Sequence, residues 1–147
     1  MRMIKVNITK EIVNIRTHKV YEILDVTEKV REILTRSKIK DGLLVCYVPH
    51  TTAAITINEG DETVFEDLLG LLKKWVPRKG DYKHNAKYAG IPQEENAHAH
   101  IISSIIHPSV TIPITNGRLE LGTWQRILFI ELDGPRNRRI IVKIVGE

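Results

Sequence analysis

The sequence predicts an α+β fold of mostly antiparallel β-sheet with two or three helices, and three observations predict it. Short segments rich in β-branched residues recur between turn signals. Helical spacing is confined to a few stretches set between groups of strands. The strand candidates are joined mostly by short turns, which favours antiparallel pairing. At 147 residues the chain suits one domain, residues 1–147, with a sizeable core.

Taken in order, Met3 to Ile8 alternates Met3, Lys5 and Asn7 against Ile4, Val6 and Ile8, a strand with one buried face. Ile12 to Thr17 keeps part of the same beat, and Tyr21 to Asp25 is a third short strand. Thr27 can cap a helix whose Val30, Ile33 and Leu34 fall at helical spacing. Asp41-Gly42 marks a turn before Leu43 to Val48, a continuous apolar run read as a central strand. Pro49-His50-Thr51-Thr52 interrupts that run, and Ala53 to Asn58 resumes it. Asp61 and Glu62 place negative charge at the start of a second helix. Its apolar face is read as Val64, Leu68, Leu71, Leu72 and Trp75, and Pro77 ends it.

Pro77 to Glu95 lacks periodicity, and so long a loop in a small domain is uncommon and usually either functional or disordered. Asn96 can cap a third helix reaching His107. Ser109 to Thr115 and Arg118 to Leu121 flank Asn116-Gly117, a strong signal for a type I′ hairpin, with Gly122 a candidate bulge. Trp124 to Leu132 continues the sheet, Asp133-Gly134-Pro135 turns, and Arg139 to Val145 closes it.

Composition narrows the function classes. A content of 42% apolar and 27% charged residues is that of an ordinary soluble domain. The net charge of +4 is spread among interleaved acids and bases, and the one cationic cluster is Arg136-Asn137-Arg138-Arg139. That argues against nucleic-acid binding. No stretch approaches the roughly 20 apolar residues of a membrane helix, and the N-terminus has no apolar leader. With a single cysteine, Cys46, in an apolar run, the expected location is cytoplasmic.

The chemistry-bearing residues centre on Asn96-Ala97-His98-Ala99-His100. Neutral imidazole is the commonest protein metal ligand, so a His-x-His pair suggests a metal site. On a helix the two rings face opposite ways: His98 joins Ile101, Ile102, Ile105 and Ile106, while His100 joins Ser103, Ser104 and His107. The spacing alone does not choose between them. His50 follows a proline at a strand break beside Thr51 and Thr52, whereas His84 in the long loop reads as a surface residue. Glu59 and Asp61 after one strand, and Glu131 and Asp133 before a turn, can serve as bases, though a solvated strand end is the more common role for such carboxylates. Arg136, Arg138 and Arg139 can hold a phosphate or line a solvated turn.

Three motifs carry a resemblance. They are His50-Thr51-Thr52-Ala53-Ala54-Ile55-Thr56-Ile57-Asn58-Glu59; Tyr82-Lys83-His84-Asn85 with Asn96-Ala97-His98-Ala99-His100-Ile101; and Ser109 through Gly117 to Gly122-Thr123-Trp124-Gln125-Arg126-Ile127, followed by Glu131 and Arg138-Arg139. On these the chain resembles the YjbQ-like family. The resemblance implies homotrimers of α+β subunits with a metal near His50, His84 and His100, a set suited to Zn²⁺ or a similar divalent ion. The implied activity is that of a secondary thiamine-phosphate synthase, joining a pyrimidine pyrophosphate to a thiazole phosphate. It implies catalytic roles for Glu59, Gln125 and Glu131, and contacts to a phosphorylated small molecule from Thr51, Thr52, Asn58, Trp124, Arg136, Arg138 and Arg139. The chain departs from the family pattern at His98 and His107, and is one residue shorter before Asp61. Two other readings are carried alongside: a non-catalytic metal-binding homotrimer, and a metal-assisted hydrolase, which an imidazole-rich set suits better than it suits pyrophosphate-bound Mg²⁺.

Overall fold

Continuous apolar sequence at residues 127–130 marks a strand buried on both faces, and the fold is layered around it. The computed structural model describes residues 1–147. Eight strands and four helices follow in the order β1 (Asn7–Arg16), β2 (Glu22–Asp25), α1 (Thr27–Ser37), β3 (Gly42–Tyr47), β4 (Ala53–Glu59), α2 (Glu62–Trp75), α3 (Lys83–Lys87), α4 (Ala97–Ile106), β5 (Ser109–Thr115), β6 (Arg118–Leu119), β7 (Gln125–Glu131) and β8 (Asn137–Gly146). A five-stranded sheet has the order β1-β8-β3-β5-β6 and a three-stranded sheet the order β2-β7-β4. The α+β class with antiparallel sheets is as the sequence predicts.

Alternation assigns the faces. Val13 and Ile15 of β1, Leu44 and Cys46 of β3, Ile112 and Ile114 of β5, and Ile140, Val142 and Ile144 of β8 point inward. They meet Ile55, Ile127 and Phe129 of the smaller sheet, and Val30, Ile33 and Leu34 of α1 close the same core. The other face of β7 offers Ile130, which packs with Leu132, Leu72, Ala99 and Ile102 beneath α2 and α4. Each such aliphatic or aromatic side chain contributes about 1.5–3 kcal/mol on burial. Cys46 is wholly buried, and burial pushes its thiol up to about 12. The folded protein is therefore expected to leave a thiol reagent such as Ellman's unreacted until denaturant is added; fast stoichiometric labelling under native conditions would contradict this packing.

Several boundaries differ from the sequence reading, each for a physical reason. The first two strand candidates form one strand, and residues 1–6 lie outside it. Asn7 already pairs with Gly146, where β8 ends, so Met3 to Val6 have no strand beside them. Thr27 does not cap α1. Asp25 accepts from the Thr27 N–H at 2.9 Å, leaving the Thr27 hydroxyl to accept from the Ile127 N–H at 2.8 Å. Asp61 does cap α2, accepting from the Thr63 N–H.

The face of α2 is narrower than expected: Phe65 and Leu72 are buried while Leu71 and Trp75 are exposed. A three-stranded sheet is only about 10 Å across, two interstrand spacings, and covers no more than one stripe of a helix. The same limit leaves Ile101 and Ile105 of α4 exposed. Within the long loop α3 and a 3₁₀ turn at Pro92–Glu94 form. The hairpin at Asn116-Gly117 has positive φ at both residues (52° and 73°), as a type I′ turn requires. β6 is only two residues long, so Gly122 is no bulge and Trp124 precedes its strand.

Arg126 of β7 ties the start of α1 to the sheet, with Nε 2.7 Å from Asp25. Burial raises the Asp25 carboxyl, but hydrogen bonds from Arg126 and Thr27 outweigh it and hold the group below its usual value. A depressed folded pKa stabilises above the unfolded value near 3.9, and that contribution is lost as pH falls through the folded value. Asp25→Asn is expected to lower the urea midpoint at pH 7 and to narrow its gap from the parent protein at pH 3. An equal gap at both pH values would contradict the pairing.

Candidate functional site

The break between β3 and β4 is the turn Pro49-His50-Thr51-Thr52, and it is held from below by a buried ion pair. Arg138 on β8 gives Nε to Glu131 Oε1 at 2.9 Å and Nη2 to Oε2 at 2.6 Å. Its Nη2 also reaches the Thr52 hydroxyl at 2.8 Å and the Thr52 carbonyl at 3.3 Å. Glu131, whose side chain is fully buried, is completed by the Thr17 hydroxyl at 2.7 Å and the N–H groups of Leu132 and Asp133. Glu131 is thus not a solvated strand end. With both oxygens engaged, it orients Arg138 and is not free to move protons at the surface. Strands β7 and β8, consecutive in the chain but in different sheets, supply the two partners, so the pair needs no flexible segment.

Above this pair lies a wholly polar cleft of about 370 Å³, lined by His50, Thr51, Thr52, Glu94, Asn96, His100, Arg136 and Arg138 along with Pro49. It adjoins a second hollow of about 530 Å³ that shares His50, Thr51 and His100 and adds Tyr47, Ser103 and Ser104. Ser103 donates to the Thr51 carbonyl at 2.6 Å, pinning α4 to the turn. Asn96 precedes α4 without capping it by side chain. Asn85 of α3 accepts from the Ala97 N–H at 3.0 Å, freeing Asn96 to donate to Asp133. Arg136 is also tied to Asp133, at 2.8 Å.

The two histidines of the His-x-His pair separate as helix geometry requires. His98 is fully buried, and its Nε2 lies 3.2 Å from the Leu132 carbonyl. A carbonyl only accepts, so Nε2 carries the proton; Nδ1 has no partner. Burial keeps this ring neutral by lowering its pKa. His100 instead faces the cleft and meets His84, ring centroids 4.8 Å apart. Burial and then the neighbouring His84 lower the pKa of His100. His50 is lowered by burial, then by Arg138 and Arg139. Its Nε2 accepts the Arg139 backbone N–H at 3.1 Å, so the proton of the neutral ring sits on Nδ1.

This arrangement tests the expected three-histidine metal set. His84 and His100 fit one divalent ion: the rings adjoin, and the buried Nδ1 of His84 has no partner. His50 as held does not, because its free nitrogen carries a hydrogen and offers no lone pair. No group of three or more His, Cys, Asp or Glu side chains stands at metal-binding spacing in the chain.

The remaining expected residues divide. Thr51, Thr52, Arg136, Arg138, His50 and His100 line the cleft, whereas Arg139 reaches it only through its backbone. Asn58, Glu59, Trp124 and Gln125 do not join them. Ala53 pairs with Glu131 but Glu59 pairs with Gln125, six residues further along β4, about 20 Å away. Gln125 accepts from the Gly122 N–H, and Trp124 is 73% exposed at that far end. Sequence reasoning missed Glu94, Asn96 as a lining residue, Thr17 and Ser103. Ser103 was within reach, three residues from His100 on the same helical face; Thr17 carries no local signal.

Comparison with known proteins agrees with the fold. The family model described as "UPF0047 protein YjbQ-like" matches residues 11–147. A UPF0047 protein of Archaeoglobus fulgidus is 44% identical over 129 residues, covering 88% of this chain and 95% of the relative. UPF0047 protein YugU of Bacillus subtilis is 39% identical over 133 residues, covering 90% and 96%. Among solved structures, a YbjQ-like protein of unknown function from Sulfolobus solfataricus superposes with a TM-score of 0.91 at 35% identity, covering 97% of this chain and all of that one. A hypothetical protein from Aeropyrum pernix gives 0.88 at 42% identity, covering 95% and 99%.

Proposed function

The chain belongs to the YjbQ-like UPF0047 family, and from that premise we propose that it is an enzyme acting on phosphorylated small molecules in the His50–His100 cleft. The observation that carries the reading is the lining of that cleft. Two imidazoles, two arginines, two threonines, an asparagine and one carboxylate, Glu94, converge there with no apolar side chain other than Pro49. A handful of polar groups placed by rigid strands is what recognition of a small polar substrate needs. The reaction we assign is the joining of a pyrimidine pyrophosphate to a thiazole phosphate with release of pyrophosphate. In it the His50 Nδ1–H and the arginines would meet charge that grows on the departing oxygens. Arg138, fixed by Glu131, would do so without reorganising. A divalent ion held by His84 and His100 would add Lewis-acid charge beside them. That pair of rings is also what favours a second reading, a metal-assisted hydrolase of a phosphate ester.

We further propose that the working form is a homotrimer. The outer face of the larger sheet supports association: Ile8, Val145 and Leu43 form one exposed apolar row, and exposed Ile12 and Tyr47 flank half-buried Ile141 in another. Tyr47 also lines the larger hollow, so a second copy on this face would help wall the cleft. Sedimentation equilibrium is expected to give three times the 16.8 kDa chain mass, and Leu43→Lys to lower it; a monomer at micromolar concentration would contradict the assembly.

The test of function is pyrophosphate release from the two thiamine precursors, run beside a panel of phosphate monoesters. Release that requires both precursors supports the transferase, and release of phosphate from single esters supports the hydrolase. No turnover of any of them by protein loaded with Zn²⁺ or Mg²⁺ would overturn both.

A further inference from the structure

The turn at residues 50–52 has an unmet demand of its own. Backbone N–H groups excluded from water are nearly always paired, and one left bare costs free energy comparable to a lost hydrogen bond. The N–H groups of His50, Thr51 and Thr52 donate to no backbone acceptor in the chain, since the first ladder bonds of β4 begin after them. No side chain accepts from them either. Thr52 is only 5% exposed, so its N–H carries the unmet demand, whereas those of half-buried His50 and exposed Thr51 stand open at the cleft. Two carbonyls of the same turn are occupied: Thr51 accepts from Ser103, and Thr52 accepts from Arg138 and from the Leu132 N–H. The backbone of residues 50–52 therefore has three free N–H groups against one free carbonyl, that of His50.

A second observation points the same way. The Arg138 side chain is 5% exposed, and Nε and Nη2 carry all its hydrogen bonds. Its Nη1 has no partner, and Arg138 lines the cleft beside His50, Thr51 and Thr52. The His50 Nδ1–H is likewise unpartnered, with its tautomer set by Arg139. Donors thus predominate among the free groups of this turn and the arginine beneath it, with the His50 carbonyl and the Thr51 hydroxyl able to accept. Such a set matches a ligand rich in acceptor oxygens.

We infer that residues 50–52 form an oxyanion nest in which consecutive backbone N–H groups, completed by Arg138 Nη1 and His50 Nδ1–H, take the phosphate or pyrophosphate group of the substrate. This deepens the cleft reading of the preceding subsection and shares its location. The nest works through fixed dipoles more than net charge, because Glu131 already balances Arg138 and Asp133 balances Arg136.

The test is an amide ¹H–¹⁵N titration of the full-length protein with inorganic pyrophosphate, with affinity measured in parallel by calorimetry. The Thr51 and Thr52 amide protons are expected to move downfield and saturate with the calorimetric Kd. Arg138→Lys, which keeps the charge opposite Glu131 but removes Nη1, is expected to weaken binding at least tenfold. Pyrophosphate that binds while those two amides stay still, or that binds Arg138→Lys with unchanged affinity, would overturn the nest. So would an absence of binding at millimolar pyrophosphate. Should Arg138→Lys fail to fold, the amide map of the parent protein decides alone. Binding at the nest without turnover of any precursor would sink the proposed reaction and leave the nest standing.

Discussion

Arg138→Ala is expected to destabilise the fold by about 3–5 kcal/mol, because it strands a buried carboxylate. The Glu131 side chain is fully buried, and two of its bonds run to this guanidinium. Removing the arginine leaves the Thr17 hydroxyl and the Leu132 and Asp133 N–H groups as its only partners. It also frees the Thr52 hydroxyl, so the turn that builds the cleft loosens with the core. The double variant Arg138→Met/Glu131→Leu recovers only part of the loss. It removes both charges, but the Asp133 N–H then has no acceptor, while the Leu132 N–H keeps only the Thr52 carbonyl and the Thr17 hydroxyl only the Arg136 carbonyl. Urea midpoints of the two single variants and the double variant give the coupling directly. Additive effects would show that the pair is not the support described here.

The second large effect separates the two neighbouring histidines. His50→Ala and His100→Ala are expected to lower kcat/KM for the phosphorylated substrate by about 10²–10⁴, the range for loss of a positioned proton-handling group. Both rings are only half-buried at the cleft wall, so thermal midpoints should move little. His98→Ala should behave in the opposite sense. Its ring is wholly enclosed, packs near Tyr21 with centroids 5.7 Å apart, and donates to the Leu132 carbonyl. Losing it opens a cavity and leaves that carbonyl bare, at a cost of about 2–4 kcal/mol, with turnover per folded molecule unchanged. A His98 variant with normal stability and no activity would reverse the assignment.

What was legible in the sequence follows the range of the physical signals. Alternation and turn chemistry are local, so β3, β4, β5 and the Asn116-Gly117 hairpin were readable, and so was the divergence of His98 from His100 on a helix. Strand β1 was misjudged at its start because its limit is set by where β8 runs out, more than 130 residues away. The exposed Leu71, Trp75, Ile101 and Ile105 reflect the narrowness of a sheet that helical periodicity cannot report.

The site follows the same division. His50 at a strand break was a local signal, whereas Glu131 looked like a solvated strand end because its side-chain partners Thr17 and Arg138 lie on other elements. The motif residues Asn58, Glu59, Trp124 and Gln125 belong together by strand register, at the opposite end of β4 from the cleft. Their shared motifs said nothing of that distance.

The central claim is that the cleft above the Arg138–Glu131 pair holds a phosphorylated ligand. A crystal structure of the protein soaked in inorganic pyrophosphate tests it most directly. Pyrophosphate oxygens within hydrogen-bonding distance of the Thr51 and Thr52 N–H groups and of Arg138 Nη1 are the predicted result. Pyrophosphate bound instead between Arg31 and Arg118 or beside Arg78 and Lys79, with the His50–Thr52 turn left empty, would contradict it.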